Sequence, residues 1–145
     1  MVIQANATAT AVTAAADATL STDSDYKKIT AGWATGHVDG VSFSIDKLVV
    51  PVAGDYYISF WATVKVPTIN NFIGIKYAIN DVAPYSTRKI VEQSVTANDY
   101  KNMSASGIIA SLAANDTISV YIAGTKTDNL VVQEAGLTVM LIHPN

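Results

Sequence analysis

The stretch of sequence that decides the fold is Gly-Asp-Tyr-Tyr-Ile-Ser-Phe-Trp-Ala-Thr-Val-Lys-Val at residues 54–66. Every second side chain from Tyr56 to Val66 is apolar, and the side chains between them are mostly polar or amphipathic. This period of two, in a run rich in aromatic and β-branched residues, predicts a β-strand with one buried face. We expect the buried face to consist of Tyr56, Ile58, Phe60, Ala62, Val64 and Val66.

Similar but shorter patterns occur along most of the chain. Candidate strands cover residues 41–50, 72–80, 89–96, 103–112, 117–122 and 136–142. Turn residues separate them, and no segment has the period of a convincing helix. The run at 136–142 is almost continuously apolar, which predicts burial on both of its faces. Eight or so strands joined by turns predict an all-β, single-domain jelly-roll β-sandwich.

The N-terminal segment has a different composition. Residues 5–19 are almost all Ala and Thr, and their alternation favours an extended conformation. Such small side chains bury too little apolar area to fold alone. We therefore expect residues 1–22 to form an extended arm that is ordered when docked, and residues 23–145 to form the sandwich domain.

Composition excludes several classes of protein. The 145 residues are 50% hydrophobic and 14% charged, with a net charge of −3 and no cysteine. Disorder, disulfide scaffolds and thiolate metal sites are excluded, and the acidic balance argues against a nucleic-acid partner. No apolar run has the length of a membrane span, and no secretory signal is visible, so we expect synthesis in the cytoplasm. A mean hydropathy of +0.27 indicates either surfaces that contact other protein chains or a dense monomeric core.

The sequence contains no strong pattern of catalytic residues. His37 and His143 are too far apart in the sequence to form a metal-ligand motif, and no Gly-x-Ser-x-Gly elbow occurs. Asp23 and Asp25 flank Ser24, but the rest of a calcium loop is missing, and a solvated turn is the favoured interpretation. We expect no enzyme activity, no cofactor and no metal.

Two other groups of residues invite functional interpretations. The pairs Lys27-Lys28 and Arg88-Lys89 are isolated and are more typical of exposed strand edges than of a phosphate-binding track. Tyr26, Trp33 and Trp61 could form a sugar-stacking platform, although a structural role is the favoured interpretation.

Three motifs resemble the jelly-roll family of tumour necrosis factor and the complement-type globular heads. The first is the run from Gly54 to Phe60. The second runs from Leu112 to Ile118, with Asn115 where the family has Gly, and Asn tolerates positive φ well. The third is the apolar C-terminal run from Ala135 to Ile142. The resemblance extends from about Tyr26 to Ile142.

This resemblance implies a compact homotrimer. Side chains opposite the core set on residues 54–66 would then face the threefold axis, which implies a trimer interface at Tyr57, Ser59 and Trp61. Aromatic residues supply much of the buried area at such interfaces. The alternative is that the N-terminal arm half-covers Trp61.

A self-associating jelly roll with a small-residue arm and no catalytic constellation is typical of a virion structural protein. We expect a capsid decoration (cement) protein of a tailed bacteriophage, located on the capsid exterior, whose partner is the shell of major capsid protein. The arm would grip the shell by strand addition. Its predicted contact residues are Ala5, Asn6, Thr8, Thr10 and Val12. The alternative is a trimeric recognition head of the same fold, such as a fibre tip or a glycan- or receptor-binding module.

Overall fold

A computed structural model describes residues 2–15, 17, 19–30, 32–35, 40–82 and 90–145. In these residues the chain forms two antiparallel β-sheets and one short 3₁₀ turn at Asp23–Asp25. The first sheet contains, in spatial order, β3 (Trp33–Thr35), β1 (Val2–Val12), β11 (Asp128–Pro144), β6 (Gly54–Val66) and β9 (Asp99–Leu112). The second contains β4 (Ser42–Ser44), β5 (Lys47–Val49), β10 (Thr117–Gly124), β7 (Phe72–Ile79) and β8 (Ile90–Gln93), with β2 (Lys27–Lys28) paired to β10. The prediction of an all-β jelly-roll sandwich is confirmed.

The core lies between the two sheets and follows from the alternation along β6. All six side chains predicted to face the core are buried, and those between them are half-buried. The second sheet contributes the inward side chains of β7, including Ile73, Ile75 and Tyr77. The Phe60 and Tyr77 rings meet across the core with centroids 5.9 Å apart. Each fully buried large apolar side chain stabilises the folded state by about 1.5–3 kcal/mol relative to leaving it exposed.

Turn chemistry places the strand ends as expected. Asn115 has a φ of 71°, which agrees with the interpretation of Asn as a substitute for Gly. Asn80 and Asp81 also have positive φ, at 56° and 53°, in the turn that follows β7. Gly54 does not have a positive φ. A Cβ there would overlap the carbonyl oxygen of His143, so Gly54 permits the close approach of β11.

The N-terminal segment belongs to the first sheet. β1 pairs with β11 in one continuous register, from Val2 opposite Thr138 to Val12 opposite Asp128. Its other edge pairs with β3 at Ile3–Ala5. The segment is extended, as its period predicted, but its hydrogen-bonding partners lie in the same chain. Residues 2–12 are therefore an extended segment docked on the sheet of the same chain, and main-chain pairing compensates for the small side chains.

Residues 19–26, here called the strap, cross the outer face of the second sheet. Leu20 and Tyr26 form a small apolar cluster with Ala123 and cover Gly74, where a Cβ would collide with both side chains. Beneath the strap, the fully buried Lys76 binds Asp23 at 2.5 Å and lies 4.3 Å from the centre of the Tyr26 ring. Burial, reinforced by Asp23 and other nearby carboxylates, raises the pKa of the Tyr26 hydroxyl well above its usual range. The strap therefore covers the part of this outer face around Gly74 and Lys76.

The C-terminal strand differs from its predicted form. β11 begins at Asp128 and is longer than the predicted run at 136–142. Leu137 and Val139 are buried, but Met140 and Ile142 are exposed. The prediction that this run is buried on both faces is wrong for the single chain, because nothing in the described residues covers its outer face at this end.

Candidate oligomer interface

The outer face of the first sheet carries the three side chains predicted to form a trimer interface. Tyr57, Ser59 and Trp61 alternate with the core residues of β6, so all three point away from the core. Each is half-buried in the single chain. The structure therefore places them on one accessible surface, in neighbouring rows of the sheet.

Trp61 owes its position to a glycine on the neighbouring strand. Gly136 of β11 lies directly opposite Trp61, and a Cβ at this position would overlap the indole ring. The ring therefore lies against the backbone of β11. Sequence reasoning missed this contact, although a glycine inside a strand is the signal of a close approach.

A row of apolar side chains crosses three strands beside Trp61. Tyr57 pairs with Met140 of β11 on one side and with Ile109 of β9 on the other. Met140 is 55% exposed and Ile109 is 66% exposed. Directly opposed side chains have Cβ atoms about 4.5–5.5 Å apart, so these three form a continuous apolar strip. Sequence reasoning missed Met140 and Ile109 because each lay in a strand whose alternation was weak or obscured.

Polar residues border this strip farther along the strands. Thr63 of β6 pairs with Glu134 on β11 and Asn102 on β9. At the opposite border, Ser111 hydrogen-bonds to the carboxylate of Asp55. An apolar centre with a polar border is the composition of a protein–protein interface. This surface, comprising Tyr57, Ser59, Trp61, Ile109 and Met140, is called the outer apolar face below.

The residues predicted to contact a capsid lie in β1. Ala5 pairs with Ala135 on one side and with Trp33 on the other, so both edges of its backbone are occupied. Asn6, Thr8, Thr10 and Val12 pair with β11 on one side. Val12 is buried in the core. The Val12 side chain is therefore committed to the sandwich, and a partner could reach this residue only through its main chain.

An ion-pair cluster lies on the outer face of the second sheet. Lys28 Nζ lies 2.8 Å from Asp46 and 2.9 Å from Asp81, while Lys47 Nζ lies 3.3 Å from Asp81. Ser119 also donates a hydrogen bond to Asp81, at 2.8 Å. Burial alone would raise the pKa of Asp81, but these partners hold it at about 2. Burial would lower the pKa of Lys28, but the hydrogen bonds from its ammonium group to Asp46 and Asp81 raise it above its usual value.

The aromatic residues considered as a sugar platform are separated. Tyr26 is buried under the strap on the second sheet, whereas Trp61 lies on the outer face of the first. Trp33 donates its indole N–H to the Ile29 carbonyl at 2.6 Å and packs against the core. The three rings therefore form no common surface.

The remaining candidate residues from the sequence are the histidines and one basic pair. His37 and the pair Arg88-Lys89 lie outside them, and His143 is exposed at the end of β11. Among the described residues, no group of three or more His, Asp or Glu side chains could hold a metal ion. No helix in the described part of the chain is long and apolar enough to cross a membrane.

Comparisons with known proteins identify the fold. No family model and no curated protein sequence matches the chain. Among solved structures, the chain is similar to the Eiger TNF of S. frugiperda, with a TM-score of 0.61 and 11% identity over 100% of this chain and 94% of that one. It is also similar to murine APRIL, with a TM-score of 0.57 and 15% identity over 97% of this chain and 98% of that one. The chain therefore has a TNF-like jelly-roll fold, with a partly exposed apolar strip on the outside of its first sheet.

Proposed function

We propose that the chain is a homotrimeric virion structural protein, the capsid decoration protein of a tailed bacteriophage. In this proposal it is made in the host cytoplasm, binds the shell of major capsid protein on the capsid exterior, and makes or breaks no covalent bond. The observation that carries the self-association is the outer apolar face. Met140 and Ile109 flank Tyr57 and are 55% and 66% exposed. Water solvates such an apolar surface poorly, and a second copy of the chain would cover it.

The threefold arrangement is supported by the fold. The TNF-like resemblance implies a trimer, and the outer apolar face lies on the sheet that contains the predicted interface residues. Burying Tyr57, Trp61 and Ile109 against neighbouring subunits would supply aromatic and branched contact area.

The stabilising mechanism is binding linkage. A ligand that binds the assembled shell better than dispersed subunits shifts the equilibrium toward the shell. A trimer presents three linked copies of any contact, which adds avidity without new contacts. A rigid body with its own closed core suits this role, because little conformational entropy is lost on binding.

Because β1 is part of the first sheet, it cannot bind the shell as a free arm would. Within the described residues, the edge of β1 opposite β11 is unpaired from Asn6 to Val12. This stretch contains no charge and no proline, which are the usual protections of an edge strand. An extended segment of a shell subunit could pair with it, so that β1 receives a strand instead of lending one.

Co-sedimentation with shells tests the proposal. Purified protein is mixed with shells assembled from the major capsid protein of the source virus and, separately, with the unassembled capsid protein. We expect saturable binding to shells, weak binding to the unassembled protein, and a higher temperature of shell disassembly. Absence of binding to shells would refute the decoration role.

The second candidate is a trimeric recognition head of the same fold. The similarity of the fold to those of Eiger TNF and murine APRIL supports keeping this candidate. A glycan array with the purified protein separates the two candidates: a decoration protein should show no sugar preference, whereas a selective signal would favour the recognition head.

A further inference from the structure

The strap holds a lysine and a carboxylate together on the outer face of the second sheet. Lys76, on β7, has a fully buried side chain, and its Nζ lies 2.5 Å from Asp23 Oδ1. The Tyr26 ring covers the same nitrogen, with its centre 4.3 Å away. The ammonium group has three N–H donors, and among the described residues it has no second hydrogen-bond acceptor. Burying such a charge is costly, because the ammonium has lost its water and is only partly compensated.

Contacts within the strap fix the Asp23 carboxylate in this position. The 3₁₀ turn closes on Asp23, because the Tyr26 N–H donates to the Asp23 carbonyl at 3.1 Å. The Tyr26 hydroxyl donates to the Leu20 carbonyl at 3.2 Å, and Leu20 is itself fully buried. Leu20 has a φ of 53°, a conformation that costs energy for leucine and persists because the packing of its side chain enforces it. The surrounding fold therefore holds the carboxylate against the ammonium, in addition to their mutual attraction.

An amine and a carboxyl group held in this way can condense to an amide. A nitrogen that is hydrogen-bonded to a carboxylate oxygen lies about 3–3.5 Å from the carboxyl carbon, which is the separation of a near-attack arrangement. Lys76 Nζ gives one proton to Asp23, which leaves a neutral amine and a neutral carboxylic acid. The amine then attacks Asp23 Cγ, a second proton passes from the nitrogen to the hydroxyl oxygen, and the C–O bond breaks as water leaves. The third proton stays on the amide nitrogen, so the reaction needs no other reagent.

We infer that Lys76 and Asp23 form an intramolecular amide (isopeptide) bond that fastens the strap to β7. The bond replaces two charges by one neutral amide, which removes the cost of burying the ammonium group. The Asp23 side chain is 32% exposed, so the product water can leave toward solvent. The bond closes a loop between residues 53 positions apart in a chain without cysteine, and a closed loop lowers the entropy of the unfolded chain. It forms within one chain, so it is independent of the proposed function and leaves shell binding non-covalent.

Mass spectrometry of the denatured, purified protein tests the bond. We expect the wild type to be lighter than its sequence by one water molecule. Lys76→Arg and Asp23→Ala each remove one partner, and these variants should have the full masses of their sequences. The matched control is Asp25→Asn, which removes a carboxylate from the same 3₁₀ turn and should keep the loss of water in full.

A tryptic digest locates the bond in the wild-type protein and so does not depend on the folding of any variant. Trypsin does not cleave after a lysine whose amine is acylated, so we expect a branched peptide that joins residues 1–27 to residues 66–88. Lys47 and Lys101, whose ion pairs are partly exposed, are internal controls and should be cleaved completely. A wild-type mass equal to that of the sequence, in folded protein kept for days at neutral pH, would overturn the inference. A loss of water located at any other pair of residues would overturn it as well.

Discussion

At the scale of single residues, the Trp61–Gly136 contact sets the shape of the outer apolar face. The indole ring occupies the space that any side chain at position 136 would need. We expect Gly136→Ala to lower the free energy of unfolding by about 1–3 kcal/mol, because the rigid ring must move. In a Trp61→Ala background, the same substitution should cost almost nothing. Urea unfolding of the four proteins measures this coupling, and additive effects would contradict the contact.

The ion-pair cluster predicts a specific pH dependence. The pKa of Asp81 is about 2, below its usual value of 3.8, so its ionised form stabilises the fold. This stabilisation is complete above about pH 4 and is lost as pH falls through 2. Because the Asp81 carboxylate is one-third exposed, we expect its charge to contribute about 1 kcal/mol to the free energy of unfolding. Unfolding free energies should show Asp81→Asn less stable than the wild type at pH 7 and nearly equal at pH 2.

The matched control for that prediction is Glu92→Gln, a substitution of an exposed carboxylate on β8. Its difference from the wild type should stay small across the same pH range. A stability gap for Asp81→Asn that persists unchanged at pH 2 would contradict the assigned role of the Asp81 charge.

The sequence predicted the structure of single residues correctly where their local conformation determines it. Asn115 in its turn and the six core side chains of β6 follow from φ preference and from strand alternation. The burial of Lys76 was not predicted, because a lysine between a buried isoleucine and a buried tyrosine normally reaches solvent. Only the strap, which comes from more than fifty residues earlier in the chain, provides Asp23 and encloses it.

At the scale of elements, β1 is the strand on which the prediction and the structure differ most. Hydrogen exchange tests its pairing directly. We expect the amide protons of β1 that bond to β11 to exchange about as slowly as those in the centre of β6, because both open only with the sheet. The amide of Ala114, in the exposed turn that follows β9, serves as the fast control. Exchange of β1 at the rate of that control would restore the interpretation of a free arm.

The elements found from sequence are those with self-contained patterns. β6, β7 and β10 were predicted within about two residues because each alternates over its full length. β1 was assigned to a different structural unit because Ala and Thr carry too little hydrophobic contrast to indicate what they pair with. The first half of β11 was missed because polar residues interrupt it near a bulge at Gln133, which breaks the period of two.

At the scale of the whole molecule, the two outer faces differ. The strap covers part of the outside of the second sheet, whereas the strip formed by Tyr57, Ile109 and Met140 remains open on the first. Sequence analysis predicted Tyr57, Ser59 and Trp61 as interface residues from the resemblance. It could not find Ile109 and Met140, because their position beside Tyr57 depends on strand register.

The central claim is that copies of the chain associate through the outer apolar face. Sedimentation equilibrium of the purified protein and of Ile109→Asp, with Ile45→Asp as the control, tests it most directly. The account predicts three times the chain mass of 15.3 kDa for the wild type and the control, and a monomer for Ile109→Asp with an unchanged circular dichroism spectrum. A wild-type protein that sediments as a monomer at micromolar concentration, or a trimer that Ile109→Asp leaves intact, would contradict it.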